Sequence, residues 1–317
     1  NGSGYIMQSA GTSRFTHNNG TIKFDGSESV PSIDVDDPFK NVIIDTNNKL
    51  RVIDQKFDIA GDLTITSGGA YAHDSYPNTV IEVAGDVDIQ AGTLGSTGCT
   101  ADWEFGSLEI ASGATYIATS GTTTLTAYSG NGSNSDESRC FHNNGTFTHN
   151  KGKVKTTDDH QQQIFCQVAT TFYDLETANG APDVDDSLYF RLNGDNYLTI
   201  LNDFTVTGGN VRFYNADRGI TVRGNTFIGA SGRISEQELT GGTIIHDGLI
   251  TNKGVFLTSS TTNNFNGGVR NLGTFTSDDT ITIGGTGGIL EGNLDDANVN
   301  VNLDPVYGNF NGSTTSP

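Results

Sequence analysis

Apolar and polar residues alternate in short bursts along this chain, and each burst follows a turn signal. Residues 141–155 show the rule most openly. Asn143, Gly145 and Phe147 are followed, in the same spacing, by Asn150, Gly152 and Val154. The move recurs at Asn18-Asn19-Gly20-Thr21-Ile22, at Asn252-Lys253-Gly254-Val255-Phe256 and at Asn271-Leu272-Gly273-Thr274-Phe275. Asn and Gly tolerate positive φ and reverse the chain, and strict alternation afterwards predicts a strand with one buried face.

Longer words repeat as well. Residues 15–24, 38–44 and 56–69 reappear in the same order as residues 147–155, 171–176 and 198–209. Phe15-Thr16-His17-Asn18 is identical to Phe147-Thr148-His149-Asn150, and Asp62-Leu63-Thr64-Ile65-Thr66 aligns with Asp203-Phe204-Thr205-Val206-Thr207. Three ordered matches predict an internal duplication. Its blocks are a connection or first strand at 1–13, a first block at 14–139, a second at 140–292, and a cap or assembly segment at 293–317.

A finer beat runs within each block. Gly61-Asp62-Leu63-Thr64-Ile65 is echoed by Gly85-Asp86-Val87-Asp88-Ile89, and Asn252 by Asn271, so turn-strand signals return about every 20 residues. Short strands on that period predict an all-β parallel β-helix, or β-solenoid, with strands stacked on their counterparts one coil away. An antiparallel β-sandwich is the alternative, but its turns come about every 8 to 12 residues. Segments 70–78, 94–105, 128–139 and 181–186 break the beat and read as side loops.

Composition supports the all-β reading: 41 Gly, 6 Pro and 1 Met stand among abundant Thr, Ser and Asn, with few helix-forming windows. The net charge of −20 opposes a phosphate backbone, so nucleic acid is not an expected partner. No run of 18 apolar residues predicts membrane insertion. The chain starts at Asn1 without a leader-like segment and reads as a processed product or a portion of something longer. Cys99, Cys140 and Cys166 lack zinc-ligand spacing and are read as three buried thiols, with one disulfide plus a free thiol as the other option.

Candidate chemistry is sparse. Asp-Val-Asp-Asp occurs twice, giving Asp34, Asp36 and Asp37 and then Asp183, Asp185 and Asp186. Such oxygen-rich clusters can hold Ca²⁺, although the EF-hand pattern is absent and solvated acidic loops are the default. No other cofactor is indicated. Asp158-Asp159-His160 and Asp278-Asp279 are paired acids of the kind that glycan hydrolysis uses, at a separation sequence cannot show. His17 and His149 hold the same place in the repeated word, which predicts turn-capping imidazoles. Trp103, Tyr71, Tyr76 and Tyr128 fall in the presumed side loops and are the rings expected to stack on sugars. Phe39, Phe172 and Tyr173 belong to repeated words and are expected in the core.

At residues 38–44 and 171–176, placed between Asn-x-Gly strands and Gly-Asp-Leu-Thr-Ile-like strands, the chain resembles a diffuse family of repetitive β-solenoid proteins. Its members occur on marine bacteria and in tailed phages of aquatic hosts. The resemblance covers most of residues 14–290 and implies a virion-surface or extracellular role. It also implies self-association, as a homotrimer or higher assembly, and contact with other virion or surface proteins and with host glycan. No catalytic residue comes with it. The expectation is a stiff, non-enzymatic virion element. A bacterial adhesin or filament subunit is the first rival, and a β-helix polysaccharide lyase or hydrolase the second.

Overall fold

A computed structural model describes residues 5–8, 15–27, 31–53, 56–72, 76–129, 138–158, 160–180, 187–193, 197–214, 219–236, 243–258, 262–277, 280–286, 289–292, 294 and 298–304. Every element among them is a strand. The strands build parallel β-solenoid coils, about ten turns in all, divided between two compact units, Asn1–Lys155 and Thr156–Pro317.

In the first unit, strands Asn41–Val52, Leu63–Ala72, Val80–Ile89 and Trp103–Ile110 stack in parallel. Arg139–Asn143 stacks on Trp103–Ile110 in turn. The register runs Val42, Leu63, Val87, Leu108, Phe141, and two residues on Ile44, Ile65, Ile89, Ile110, Asn143. Both columns point inward and are buried. A third inward column joins Leu50, Ala70, Leu94, Tyr116 and Phe147, with the last two rings stacked 5.9 Å apart. The alternation read in the sequence is therefore a set of apolar ladders about 4.8 Å per rung.

The second unit repeats the arrangement with its own residues. One column runs Leu175, Phe204, Thr226, Ile250, Val269, Leu290. In a separate sheet another runs Phe172, Ile200, Val222, His246, Phe265, Ile283. A third joins Val211, Ile234, Phe256 and Phe275, whose final two rings stack 5.0 Å apart.

Coil length is set at a corner by side chains that serve the next coil's backbone. Asn41 Oδ1 accepts the N–H of Asp62, 21 residues on, and Asp62 Oδ1 accepts that of Asp86, 24 on, both at 3.0 Å. In the second unit Asp174, Asp203 and Asn225 accept from Asp203, Asn225 and Leu249, with steps of 29, 22 and 24 residues. These bonds satisfy corner amides that a sheet ladder cannot reach. The predicted 20-residue beat is the repeat of this corner.

The Asn-x-Gly signal resolves into two devices. At Asn143, Asn252 and Asn271 the side-chain oxygen accepts the N–H of the glycine two residues on, at 3.1, 3.1 and 3.3 Å. Here Gly is needed because the next coil lies against it: a Cβ on Gly273 would sit 2.2 Å from the Gly254 carbonyl oxygen. At the repeated His words the chain makes a type I′ turn instead. Asn18 and Asn19 have φ of 47° and 58°, Asn150 and Lys151 of 47° and 59°. The N–H of Gly20 and that of Gly152 close the turns onto His17 and His149, each at 2.8 Å. The imidazole Nδ1 of each His accepts the N–H two residues later, at 2.9 Å in both, so these histidines cap turns as their place in the repeat predicts.

Two expectations change. Every described pairing between named strands is parallel, which excludes the sandwich; the antiparallel contact described is an isolated bridge between Ser129 and Arg139. The compact units divide the chain at 155/156, and Arg139–Asn143 and Thr146–Thr148 belong to the first, pairing with Trp103–Ile110 and Thr115–Ile117. Segment 94–105 is no side loop: it turns a corner and enters the strand Trp103–Ile110.

Candidate functional site

Trp103 does not face solvent and is withdrawn as a sugar-stacking ring. It is 1% exposed on the inward row of its strand, 6.1 Å from Phe105 and 6.3 Å from Tyr116. Its indole N–H donates to the Thr79 carbonyl at 3.0 Å, so even its polar edge is used inside. A lone Trp between Gly-rich segments looked like a loop residue because the corner before it is as polar as a loop. The other three rings lie outside the core. Tyr71 is partly exposed on Leu63–Ala72, in register with Arg51, while Tyr76 is 48% exposed at a corner and Tyr128 partly exposed beside the Ser129–Arg139 bridge. Phe39 and Phe172 are core residues as expected, and Tyr173 is partly exposed.

The first acidic word is not gathered into a cation cage. Asp37 is buried and its Oδ2 accepts the N–H of Phe15 at 2.6 Å, whereas Asp34 is partly exposed and Asp36 exposed. Among the described residues no three His, Cys, Asp or Glu side chains converge as a metal would require. Asp183, Asp185 and Asp186 lie outside the described residues, as do Asp159, Asp278 and Asp279. Asp158 is engaged by its neighbour: its Oδ1 accepts the His160 N–H at 3.2 Å and lies 2.9 Å from His160 Nδ1. The three cysteines are free and buried, and burial pushes the Cys166 thiol up to about 12.

Stacking brings together acids that are far apart in the chain. Asp58, Glu82 and Glu104 form one outer row, bridged by Lys56 at 3.1 Å to Asp58 and 2.8 Å to Glu82. Asp88, Glu109 and His142 form another. Burial raises Asp88 above the usual carboxylate range, despite a 2.7 Å bond from Gln90. Glu109 is held below that range by His142, whose Nδ1 lies 3.0 Å away. Asp86, on the same strand, is also raised by burial and accepts from Ser107 at 2.6 Å. Two neighbouring carboxylates are thus pushed in opposite directions, the arrangement that separates an acid from a base. Sequence reasoning missed this row because Asp88 and Glu109 become neighbours only once the coil length is known.

The second unit buries two titratable groups in its interior. His246 is 2% exposed within an otherwise apolar column. Its Nδ1 lies 2.7 Å from Thr226 Oγ1, and the Phe256 and Phe265 rings pack on it. Burial lowers its proton affinity to a pKa of about 3. Glu236 is fully buried beside Asn263, and burial raises its carboxyl well above the usual range. His246 is therefore neutral at neutral pH, and burial favours the uncharged form of Glu236 as well, which is how such groups are tolerated in a core.

No helix among the described residues is long and apolar enough to cross a membrane. The solenoid fold is compatible with a structural or surface role. No protein-family model, no curated protein and no solved structure matches this chain.

Proposed function

We propose that this chain is a non-enzymatic structural and recognition protein on the outside of a phage particle: a fibre, a tail appendage or a capsid decoration. The observation that carries the reading is the commitment of inward side chains and corner carboxylates to in-register ladders, which make coils stiff and leave the outer rows free for contact. Self-association as a homotrimer or higher assembly, contact with other virion proteins and contact with host surface glycan complete the proposal. A structural Ca²⁺ at Asp34, Asp36, Asp37 or at Asp183, Asp185, Asp186 is no part of it. Immunogold labelling of the native source, viewed by electron microscopy, tests the placement. Label on phage particles is the expected result; label on bacterial envelopes or filaments favours the adhesin reading and overturns this one.

A second reading has one observation in its favour, the opposed proton affinities of Asp88 and Glu109 on adjacent coils. It makes the outer face a glycan-cleaving site. Release of reducing ends from host polysaccharide, lost in both Asp88→Asn and Glu109→Gln, is the result that supports it. Absence of release from host envelope polysaccharide removes it.

A further inference from the structure

From the outer row of the first unit we infer an anion-binding site for an acidic polysaccharide, built by Ser32, Lys49, Arg51 and Tyr71. Leu50 and Val52 are buried inward, so alternation along Asn41–Val52 turns Lys49 and Arg51 outward. Arg51 is in register with Ser32 on one side and Tyr71 on the other, and Lys49 with Gly69. The four residues therefore occupy adjacent positions on three consecutive rungs.

Several other described basic residues are already engaged. Lys23 is paired with Asp45 at 2.7 Å, Lys56 with two acids, and Arg270 with Glu291 at 2.7 Å. Arg191, Arg212 and Lys253 lie over aromatic rings. Among the described residues no carboxylate pairs with Lys49 or Arg51, in a chain whose acids outnumber its bases by 37 to 17. The Nε of Arg51 is buried without an acceptor, and so is the hydroxyl of Ser32, which is only 3% exposed. Burial without a counter-ion also pulls the Lys49 ammonium down.

A buried donor without an acceptor keeps its desolvation cost uncompensated, and an incoming oxyanion offsets that cost. Guanidinium supplies a planar fork for carboxylate or sulfate ester, lysine a point charge, and the tyrosine beside them a face for the sugar ring. The flanking row of Thr93 and Thr115, in register with Gly69, continues the surface with hydroxyls that a polymer can follow. A polyanion is the occupant that the charge pattern favours, because the acidic chain as a whole repels it and this patch attracts it. The site deepens the recognition reading and rests on it for its biological use.

The test is titration calorimetry of the full chain with dextran sulfate, neutral dextran and sodium sulfate. The expected result is binding of dextran sulfate alone, weakened about tenfold or more in Lys49→Gln/Arg51→Gln and unchanged in Lys23→Gln. Equal binding of neutral dextran, or an unchanged affinity in the double variant, overturns the site. Competition by sodium sulfate at equal charge overturns the polysaccharide class. Should the double variant fold poorly, hydrogen exchange on the wild-type chain decides: protection by dextran sulfate confined to peptides around 32, 49–52 and 69–72 supports the site, and protection elsewhere refutes it. Failure here leaves particle labelling unaffected, and failure of labelling leaves polymer binding unaffected.

Discussion

His246 gives the sharpest physical prediction. It replaces an apolar rung between Val222 and Phe265, and its pKa of about 3 in the folded chain compares with about 6.5 for an unfolded one. A histidine with a depressed folded pKa contributes stability that is fully present above the unfolded value and is lost as pH falls toward the folded one. With these two values the contribution falls by about 2 kcal/mol between pH 7 and pH 5. Glu236, raised by burial, has the opposite sign: its contribution is present below about pH 4.5 and is lost as pH rises through its folded pKa. The two slopes offset one another in the wild type, so the comparison that isolates His246 is against His246→Phe. That variant keeps a ring in the column and removes the titration, at the cost of about 1–3 kcal/mol for stranding the Thr226 hydroxyl. Trp103, the only Trp, lies in the first unit, so its fluorescence does not report on this column. Hydrogen exchange of peptides spanning Thr243–His246 and Thr262–Phe265 does, read as opening free energies. The stability difference between wild type and variant should shift by about 2 kcal/mol between pH 7 and 5. A pH-independent difference, or an imidazole titrating near 6.5 in the folded chain, refutes the buried, neutral assignment.

Other outcomes follow from the same interior. Trp103→Ala should destabilise the first unit by about 3–5 kcal/mol, measured by denaturant unfolding followed by circular dichroism, because it empties a buried site and removes the indole's bond to the Thr79 carbonyl. Glu236→Gln should remove the loss of stability that sets in as pH rises above about 4.5, visible as a flatter pH profile of exchange over Thr226–Ser235. Cys99, Cys140 and Cys166 should resist a thiol reagent in the native chain and all react on unfolding; fast labelling of any of them at neutral pH would contradict their burial.

The architecture was legible where a local rule repeats. Alternation with Asn-x-Gly turns gave the strands, and the spacing of the Gly-Asp words gave the coil, because the corner bonds from Asn41 to Asp62 and on to Asp86 are that spacing made physical. The repeated Phe-Thr-His-Asn word signalled one turn geometry at two places, which the matching φ values and imidazole bonds bear out. What failed was the direction of single side chains. Trp103 follows a polar corner, which predicts exposure, but it is the first residue of its strand and already sits on the inward row. The rows Asp88–Glu109–His142 and Ser32–Arg51–Tyr71 depend on offsets that vary from coil to coil, with steps between 19 and 33 residues. Variation of that size decides which residues share a face, and short words do not encode it.

The central claim is that each unit stacks its strands in parallel and in this register. Pairs of spin labels test it most directly: Thr64 with Glu109, which flank Asp88, and Thr171 with Thr221, which flank Thr199. Two rungs put each pair about 10 Å apart at the backbone, so continuous-wave spectra should show strong dipolar broadening for both. Sharp, uncoupled spectra from either pair would contradict the register in that unit.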